Sequence, residues 1–101
     1  MIVSIGVDII EVRRVRETIE RTPRFAARVF TAAERAYCES RGAVAAQHYA
    51  ARFAAKEAAL KALQTGWSGG ELYDETGATA AHLSIAHTTE HAIAEVILEK
   101  I

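Results

Sequence analysis

The hydrophobic positions in the first third of the chain follow two different periods. The segment IVSIGVD, residues 2–8, is short and rich in β-branched residues, so it predicts a strand that ends at Asp8. In the segment that follows, apolar residues recur every three or four positions, which predicts a helix with arginine and glutamate on its polar side. Thr22 and Pro23 then fit the N-cap and first position of a short helix that ends at Arg28.

The remainder of the chain predicts two more helices and a β-hairpin. The sequence TAAE, which begins at Thr31, fits a capping box that opens a third helix, and Gly42 ends it. An alanine-rich helix follows from about Val44 to Gln64. The segments HLSIAH and HAIAEVILEK predict two strands joined by the three-residue turn TTE. The fold class is therefore α+β, an antiparallel sheet packed with a long alanine-rich helix in a single domain over residues 1–101.

Composition and the N-terminal sequence narrow the class of protein. Half of the 101 residues are apolar and a quarter are charged, which is typical of a globular domain and argues against disorder. The opening MIVSIGVDII has neither a basic n-region nor a cleavage site, and no apolar run approaches the length that spans a membrane. We therefore expect a cytoplasmic protein without a membrane partner, in which the single Cys38 is a structural thiol.

Arginine is concentrated near the N-terminus although the net charge is only −1. Residues 11–35 hold seven arginines against four glutamates. The arginines are Arg13, Arg14, Arg16, Arg21, Arg24, Arg28 and Arg35. A local basic face of this kind fits an acidic protein surface or a phosphorylated ligand. Nucleic acid is not expected as a partner, because no aromatic stacking platform or reader motif accompanies the arginines.

The alanine-rich helix carries charges at the two edges of its apolar stripe. The stripe consists of Tyr49, Phe53, Leu60 and Leu63. Glu57 and Lys61 lie along one edge of it, and Arg52 and Lys56 lie along the other, while the remaining positions of residues 51–63 are alanine. An ordinary ion pair between Glu57 and Lys61, four residues apart, is one interpretation. It does not explain why polar residues concentrate where apolar packing ends, so the alternative is that these charges border a cleft.

Asp8 gives the cleft a chemical interpretation. A carboxylate at the end of a strand is a common ligand or metal group, and Asp8 and Glu57 from separate elements could share Mg²⁺. Lys61, one turn beyond Glu57, would then neutralise phosphate charge. The competing interpretation makes Asp8 the N-cap of the helix that follows the strand.

The histidines do not form a zinc site by spacing. His87 stands at the end of its predicted strand, where a single histidine is more often structural than functional. His48, His82 and His91 lack metal-ligand spacing with one another.

Four motifs together resemble the holo-acyl-carrier-protein synthase family, the small bacterial 4′-phosphopantetheinyl transferases. They are GVDIIEVRR from Gly6, RFAARVFTAAE from Arg24, RFAAKEAALKAL from Arg52 followed by TG, and HLSIAHT from His82. They occur in the family's order and cover most of the chain. The resemblance implies Mg²⁺-dependent transfer of the 4′-phosphopantetheine group of coenzyme A to a serine of apo acyl carrier protein, in fatty acid biosynthesis. Adenosine 3′,5′-bisphosphate is released.

The resemblance also implies roles for individual positions. Asp8 and Glu57 correspond to the Mg²⁺ ligands and Lys61 to a pyrophosphate-binding lysine, and these three form the catalytic set. The general base stays open between Asp8, Glu57 and a water molecule on the metal. The coenzyme A site would include Arg52, Lys61, Thr65, Gly66, His87 and Thr88. The surface for an acidic helix of the carrier protein would include Arg14, Arg21, Arg24, Phe25 and Arg28. The family is typically homotrimeric, with active sites between neighbouring subunits.

The chain departs from the family's pattern after Gly66, where a segment of about 15–20 residues, enough for two strands, is missing. We predict that the numbering conceals a break between about Ser68 and Tyr73, visible as an α-carbon step longer than the usual ~3.8 Å. A true deletion is the alternative. Two other functions were weighed, a non-catalytic module that binds carrier protein and a metal-dependent phosphohydrolase. Docking alone needs none of Asp8, Glu57 and Lys61, and a phosphohydrolase would bring further metal ligands.

Overall fold

A computed structural model describes residues 1–63 and 76–101, together with the backbone of two short strands between them. The elements in chain order are β1 (Ile2–Glu11), α1 (Val12–Arg21), α2 (Pro23–Val29), α3 (Ala32–Ser40), a 3₁₀ turn (Gly42–Val44), α4 (Ala45–Leu63), β2 (Trp67–Ser68), β3 (Glu71–Leu72), β4 (Ala80–His87) and β5 (His91–Glu99). Strands β1, β5 and β4 form an antiparallel sheet in that order. The α+β prediction is confirmed.

The first strand is longer than its sequence predicts. It continues past Asp8 to Glu11, because Ile9 and Glu11 still pair with Ile93 and His91 of β5. The backbone groups of these residues are thus satisfied in the sheet rather than in a helix. Helix α1 therefore begins at Val12 rather than directly after Asp8, with Glu11 at its N-cap. Both the predicted end of the strand and the N-cap interpretation of Asp8 are wrong.

The other predicted boundaries are confirmed to within one or two residues where the structure describes them. Pro23 is the first residue of α2. In the capping box of α3, Thr31 N donates to Glu34 Oε1 at 2.8 Å, and Glu34 N donates to Thr31 Oγ1 at 3.1 Å. Helix α3 ends at Ser40, and Gly42 has a φ of 57°, a left-handed conformation that glycine adopts without strain. The β4–β5 hairpin lies where its pattern placed it.

Helix α4 lies on one face of the sheet through its alanines. The sheet-facing side chains, all buried, are Ala54, Ala58 and Ala62 of α4 with Ala94, Val96 and Leu98 of β5. Gly6 of β1 lies beneath the same part of the helix. A Cβ at Gly6 would lie 2.6 Å from Ala62 N and closer still to Ala58 O. The helix backbone thus rests directly on the strand, and this close contact requires glycine.

The opposite face of the sheet is apolar and exposed. Ile5, Val7 and Ile9 of β1 and Ile93 of β5 project from it, and each is between 41% and 65% exposed. No helix in the described ranges covers this face, because α4 contacts the other one. A contiguous apolar surface on a chain of this size is a typical protein–protein contact.

The predicted break near Gly70 falls on a part of the chain that is only partly described. Residues 69–70 and 73–75 lie outside the described residues. On either side of positions 69–70, Ser68 pairs with Glu71 and Trp67 pairs with Leu72 in an antiparallel ladder. Within the described ranges, none of the helices combines the length and the apolar character needed to cross a membrane.

We expect Gly6→Ala to destabilise the fold by about 3 kcal/mol or more, because the new Cβ meets helix backbone that cannot rotate away. For a domain of this size, that lowers the melting temperature by more than about 10 °C, measured by circular dichroism. The double variant Gly6→Ala/Ala62→Gly should stay destabilised, since the nearest atom is the carbonyl oxygen of Ala58. A wild-type melting temperature for Gly6→Ala would show that α4 can shift outward at little cost.

Candidate active site

Asp8 and Lys61 form the centre of the site. Asp8 lies on the face of β1 that meets α4, two residues beyond Gly6. Its Oδ1 accepts a hydrogen bond from Lys61 Nζ at 3.0 Å, and the same ammonium donates to Val7 O at 3.2 Å. The Asp8 side chain is only 16% exposed, whereas that of Lys61 is 56% exposed. Lys61 therefore links α4 to β1 while its ammonium group still faces solvent.

Glu57 opens onto the same region from α4. Asp8 and Glu57 line one cavity of about 310 Å³, together with Arg14 of α1 and Phe25 of α2. The expected i,i+4 pair of Glu57 with Lys61 is not formed, because Lys61 binds Asp8 instead. Within the described part of the chain, Glu57 has no ion-pair or hydrogen-bond partner. The cavity thus contains one carboxylate held by a lysine and one that is uncommitted.

The two carboxylates fit a hard divalent cation. Asp8 and Glu57 offer only oxygen donors, and Mg²⁺ typically takes one or two carboxylates and completes its shell with water and phosphate oxygens. The described residues hold no cluster of three or more histidine, cysteine, aspartate or glutamate side chains suited to a metal. This donor set suits Mg²⁺ shared with a phosphorylated ligand better than a metal enclosed by protein ligands.

A second group of side chains, which includes the predicted Arg52 and His87, lies on the opposite flank of α4. We call it the His87 cluster, and it consists of Tyr37, Arg41, Gln47, His48, Arg52 and His87. His87 Nδ1 is 3.0 Å from Gln47 Oε1, and the His87 and His48 ring centroids are 5.0 Å apart. The Arg52 guanidinium lies 4.5 Å from the ring centroid of Tyr37. Burial, then the neighbouring His87, Arg41 and Arg52, hold the pKa of His48 below its ordinary value.

The structure thus divides the predicted residues between two flanks of one helix. At 100° per residue, Glu57 and Lys61 project to one side of the buried alanines, and His48 and Arg52 project to the other. Among the described residues, the carboxylate cavity and the His87 cluster lie apart from one another. None of the residues that line the cavity belongs to the cluster.

The remaining predicted coenzyme A residues have other surroundings. The hydroxyl of Thr88 organises the β4–β5 turn, accepting from the backbone N of Glu90 at 3.2 Å and of His91 at 3.1 Å. Thr65 and Gly66 lie outside the described residues. A larger cavity of about 430 Å³ lies where that turn meets the start of α1, and it contains none of the predicted catalytic residues.

The predicted carrier surface combines exposed arginines with a half-buried aromatic. Arg14, Arg21, Arg24 and Arg28 are exposed on α1 and α2, and no carboxylate of the described residues pairs with them. Phe25 packs edge-to-face on Phe30 and Phe53, with ring centroids 6.1 and 5.8 Å apart. Its ring therefore belongs partly to the core. Because Arg14 and Phe25 also line the carboxylate cavity, the basic surface leads directly to it.

Lys56 is a structural residue, although it shares an edge of the predicted stripe with Arg52. Its Nζ lies 3.1 Å from Glu34 Oε1 and ties α4 to the capping box of α3. Burial tends to raise the pKa of Glu34. The hydrogen bond from the backbone N–H of Thr31 and the ammonium group of Lys56 outweigh this effect and hold the pKa below its usual value. The prediction for Cys38 is confirmed, since the thiol is free and buried and its burial raises its pKa.

The sequence analysis missed Tyr37, Arg41, Gln47 and His48 as neighbours of the predicted site. One signal was present, since His48 and Arg52 are one helical turn apart and share a flank. Tyr37 lies in α3 and Arg41 directly follows its last residue, and their approach depends on how α3 packs on α4, which the sequence pattern does not specify.

Comparison with known proteins points to one family. Residues 4–96 match the pattern of the 4′-phosphopantetheinyl transferase superfamily. The holo-[acyl-carrier-protein] synthase of Koribacter versatilis is 40% identical over 125 aligned positions, covering 98% of this chain and 99% of the relative. A holo-(acyl-carrier-protein) synthase from Bacillus anthracis, solved in complex with CoA (3′,5′-ADP), has a TM-score of 0.80 and 35% identity over 100% of this chain and 99% of its own. The holo-[acyl-carrier-protein] synthase of Neisseria meningitidis has a TM-score of 0.82 and 28% identity over 99% of this chain and 100% of its own.

The alignment also measures how much shorter this chain is. The 125 aligned positions contain 98% of its 101 residues, which leaves about two dozen positions of the Koribacter versatilis relative without a counterpart. The holo-[acyl-carrier-protein] synthase of Geobacillus kaustophilus aligns over 118 positions that contain all of this chain, which leaves about 17 positions, within the 15–20 expected from the sequence pattern. The overall fold nevertheless resembles that of the Bacillus anthracis structure, and the three-stranded sheet and α4 are both present.

Proposed function

The chain belongs to the 4′-phosphopantetheinyl transferase superfamily, and we propose that it transfers 4′-phosphopantetheine from coenzyme A to a serine of apo acyl carrier protein. Adenosine 3′,5′-bisphosphate is the other product. The observation that carries this proposal is the cavity shared by Asp8, Glu57, Arg14 and Phe25. It places two oxygen ligands next to the basic surface that would receive an acidic carrier protein. Holo-acyl-carrier-protein synthases are also the relatives that match along the whole chain.

In this mechanism Asp8 and Glu57 would hold Mg²⁺, which would supply positive charge to neutralise the phosphate groups of coenzyme A. Lys61 has three ammonium donors, of which Val7 O and Asp8 Oδ1 take two. The third is available to a phosphate oxygen. Because β1 and Asp8 anchor the ammonium, it needs little reorganisation when charge develops on the leaving group.

The serine hydroxyl must lose its proton as it attacks phosphorus. Asp8 Oδ2 and the carboxylate of Glu57 are free of described partners, so both offer an oxygen for that proton. A serine carried on an acidic protein would approach across Arg14 and Phe25, which line the mouth of the same cavity. Catalysis then depends mainly on positioning and charge neutralisation, as in other phosphoryl-transfer reactions.

We expect Asp8→Asn and Glu57→Gln each to lower the transfer rate by about a hundredfold or more at limiting Mg²⁺, since each removes one charged ligand. The assay incubates the protein with apo carrier protein, coenzyme A and Mg²⁺ and follows the mass of the carrier. Glu11→Gln is the matched control and should keep the wild-type rate, because Glu11 is an exposed carboxylate in the same strand as Asp8. If the carrier protein binds the wild-type protein but never gains mass, the proposed transferase activity is wrong and the protein is a non-catalytic carrier-binding module.

The arginine surface should act on carrier association. Arg14→Ala is expected to raise the KM for carrier protein about two- to fivefold at low ionic strength, because exposed charges interact weakly and are screened by salt. The effect should shrink as salt is added, while the KM for coenzyme A stays unchanged. Arg13→Ala is the matched control, since Arg13 already lies 3.9 Å from both Glu11 and Glu17. An equal rise in the KM for coenzyme A would instead place Arg14 at the nucleotide.

A homotrimer with active sites between subunits completes this proposal. The carboxylate cavity and the His87 cluster lie on opposite flanks of α4, so one coenzyme A could use the cavity of one copy and the cluster of its neighbour. The exposed face of Ile5, Val7, Ile9 and Ile93 provides an apolar contact between copies, which suits a chain too small to bury it alone.

We expect Ile93→Asp to convert the assembly to monomers, because a charge in an apolar interface is left without a partner. The molar mass measured by light scattering should fall threefold, and the transfer rate should fall with it. Leu83→Asp is the control, since Leu83 is equally apolar and 57% exposed but lies on the α4 side of the sheet. A wild-type protein that is monomeric and active would contradict the shared site.

A further inference from the structure

The His87 cluster contains a hydrogen bond that determines the protonation of one ring. His87 Nδ1 lies 3.0 Å from Gln47 Oε1. An amide oxygen can only accept, so the proton of this hydrogen bond belongs to Nδ1. In the neutral imidazole the lone pair then resides on Nε2, and Nε2 is the nitrogen left for a ligand. Gln47 lies in the first turn of α4, whereas His87 ends β4, so the bond joins two separate elements.

A second contact holds the ring from its other side. His48 packs edge-to-face on His87, with ring centroids 5.0 Å apart and an interplanar angle of 63°. His48 in turn packs on Tyr37 at 5.5 Å, and the guanidiniums of Arg52 and Arg41 lie over the Tyr37 ring. Burial, then His87, Arg41 and Arg52, lower the pKa of His48, so His48 is a neutral neighbour. The ring of His87 is thus fixed by an acceptor and by an uncharged aromatic edge.

We propose that Gln47 is a positioning residue that holds His87 in the Nδ1–H tautomer and in one orientation, so that Nε2 faces coenzyme A, with His48 as a passive support. This inference rests on the proposed function, because only that function makes coenzyme A the ligand of His87. Gln47 itself does not touch the reacting atoms. Its effect should therefore be on the binding of coenzyme A rather than on the chemical step.

The tautomer can be measured without substrate. Nitrogen-15 NMR at a pH of about 8.5, well above the ordinary histidine pKa of about 6.5, distinguishes the protonated from the unprotonated ring nitrogen of neutral His87. We expect Nδ1–H in the wild type and a shift towards Nε2–H in Gln47→Met, which removes the acceptor but keeps a good helix former. Gln47→Glu keeps an acceptor in place and should restore Nδ1–H.

Kinetics then separate positioning from a merely structural role. Loss of one exposed hydrogen bond should raise the KM for coenzyme A about fivefold in Gln47→Met, with kcat and the KM for carrier protein little changed. Gln47→Glu should recover most of the affinity for coenzyme A at a pH where His87 is neutral. His82→Gln serves as the control, because His82 lies near the other end of β4 and contacts Glu99, so the tautomer of His87 and the KM for coenzyme A should stay close to those of the wild type.

Each result decides the proposal. Three results would overturn the role of Gln47 while leaving the transferase function intact. They are Nε2–H in the wild type, an unchanged tautomer in Gln47→Met, and an altered tautomer without a change in the KM for coenzyme A. Absence of transfer by the wild-type protein would overturn the proposed function instead, and the proposal with it. The role of Gln47 is supported if Gln47→Met has both an altered tautomer and a raised KM for coenzyme A, and if Gln47→Glu recovers the wild-type tautomer and most of the affinity for coenzyme A.

Discussion

The contact between the backbone of α4 and Gly6 determines how the rest of the molecule is arranged. Since Ala58 and Ala62 lie directly over a residue without a side chain, the helix approaches β1 more closely than any larger residue would allow. Glu57 and Lys61 each precede one of these alanines on the helix, and Asp8 lies two positions beyond Gly6 on the same face of the strand. The close packing of α4 on β1 therefore also brings Asp8, Glu57 and Lys61 to the same region. The alanines of α4 serve the site because they are small.

The fold was predictable from sequence where a local signal decides it. The Thr31–Glu34 capping box, Pro23 at the start of α2 and the β4–β5 hairpin all depend on residues within a few positions of one another. The end of β1 was not predictable in this way. Ile9 and Ile10 fit a helix as well as a strand by spacing, and pairing with β5, more than 80 residues away in the chain, selects the strand.

The candidate site divides along the same line. Glu57 and Lys61 could be placed together from helical spacing, and the family motif brought in Asp8. The partner that Lys61 selects could not be predicted, because the i,i+4 geometry with Glu57 and the contact with Asp8 are both sterically possible. The nearer backbone of β1 decides in favour of Asp8, since Val7 O and Asp8 Oδ1 together satisfy two donors of one ammonium. Gln47 and Tyr37 were missed because their roles arise only when α3, α4 and β4 pack together.

The division of charged groups between the two flanks of α4 links activity to assembly. Arg41 and Arg52 supply positive charge on one flank, whereas Asp8 and Glu57 supply negative charge on the other, with the buried alanines between them. On the proposed function, a neighbouring copy would bring its His87 cluster to the carboxylate cavity of the first copy, so that both flanks act on one molecule of coenzyme A. The exposed apolar face of the sheet provides a surface on which that neighbour would bind. Such a contact would also bury apolar surface that a chain of 101 residues, with its small core, leaves exposed. Stability and catalysis would then draw on the same interface, and a substitution that weakens it would impair both together.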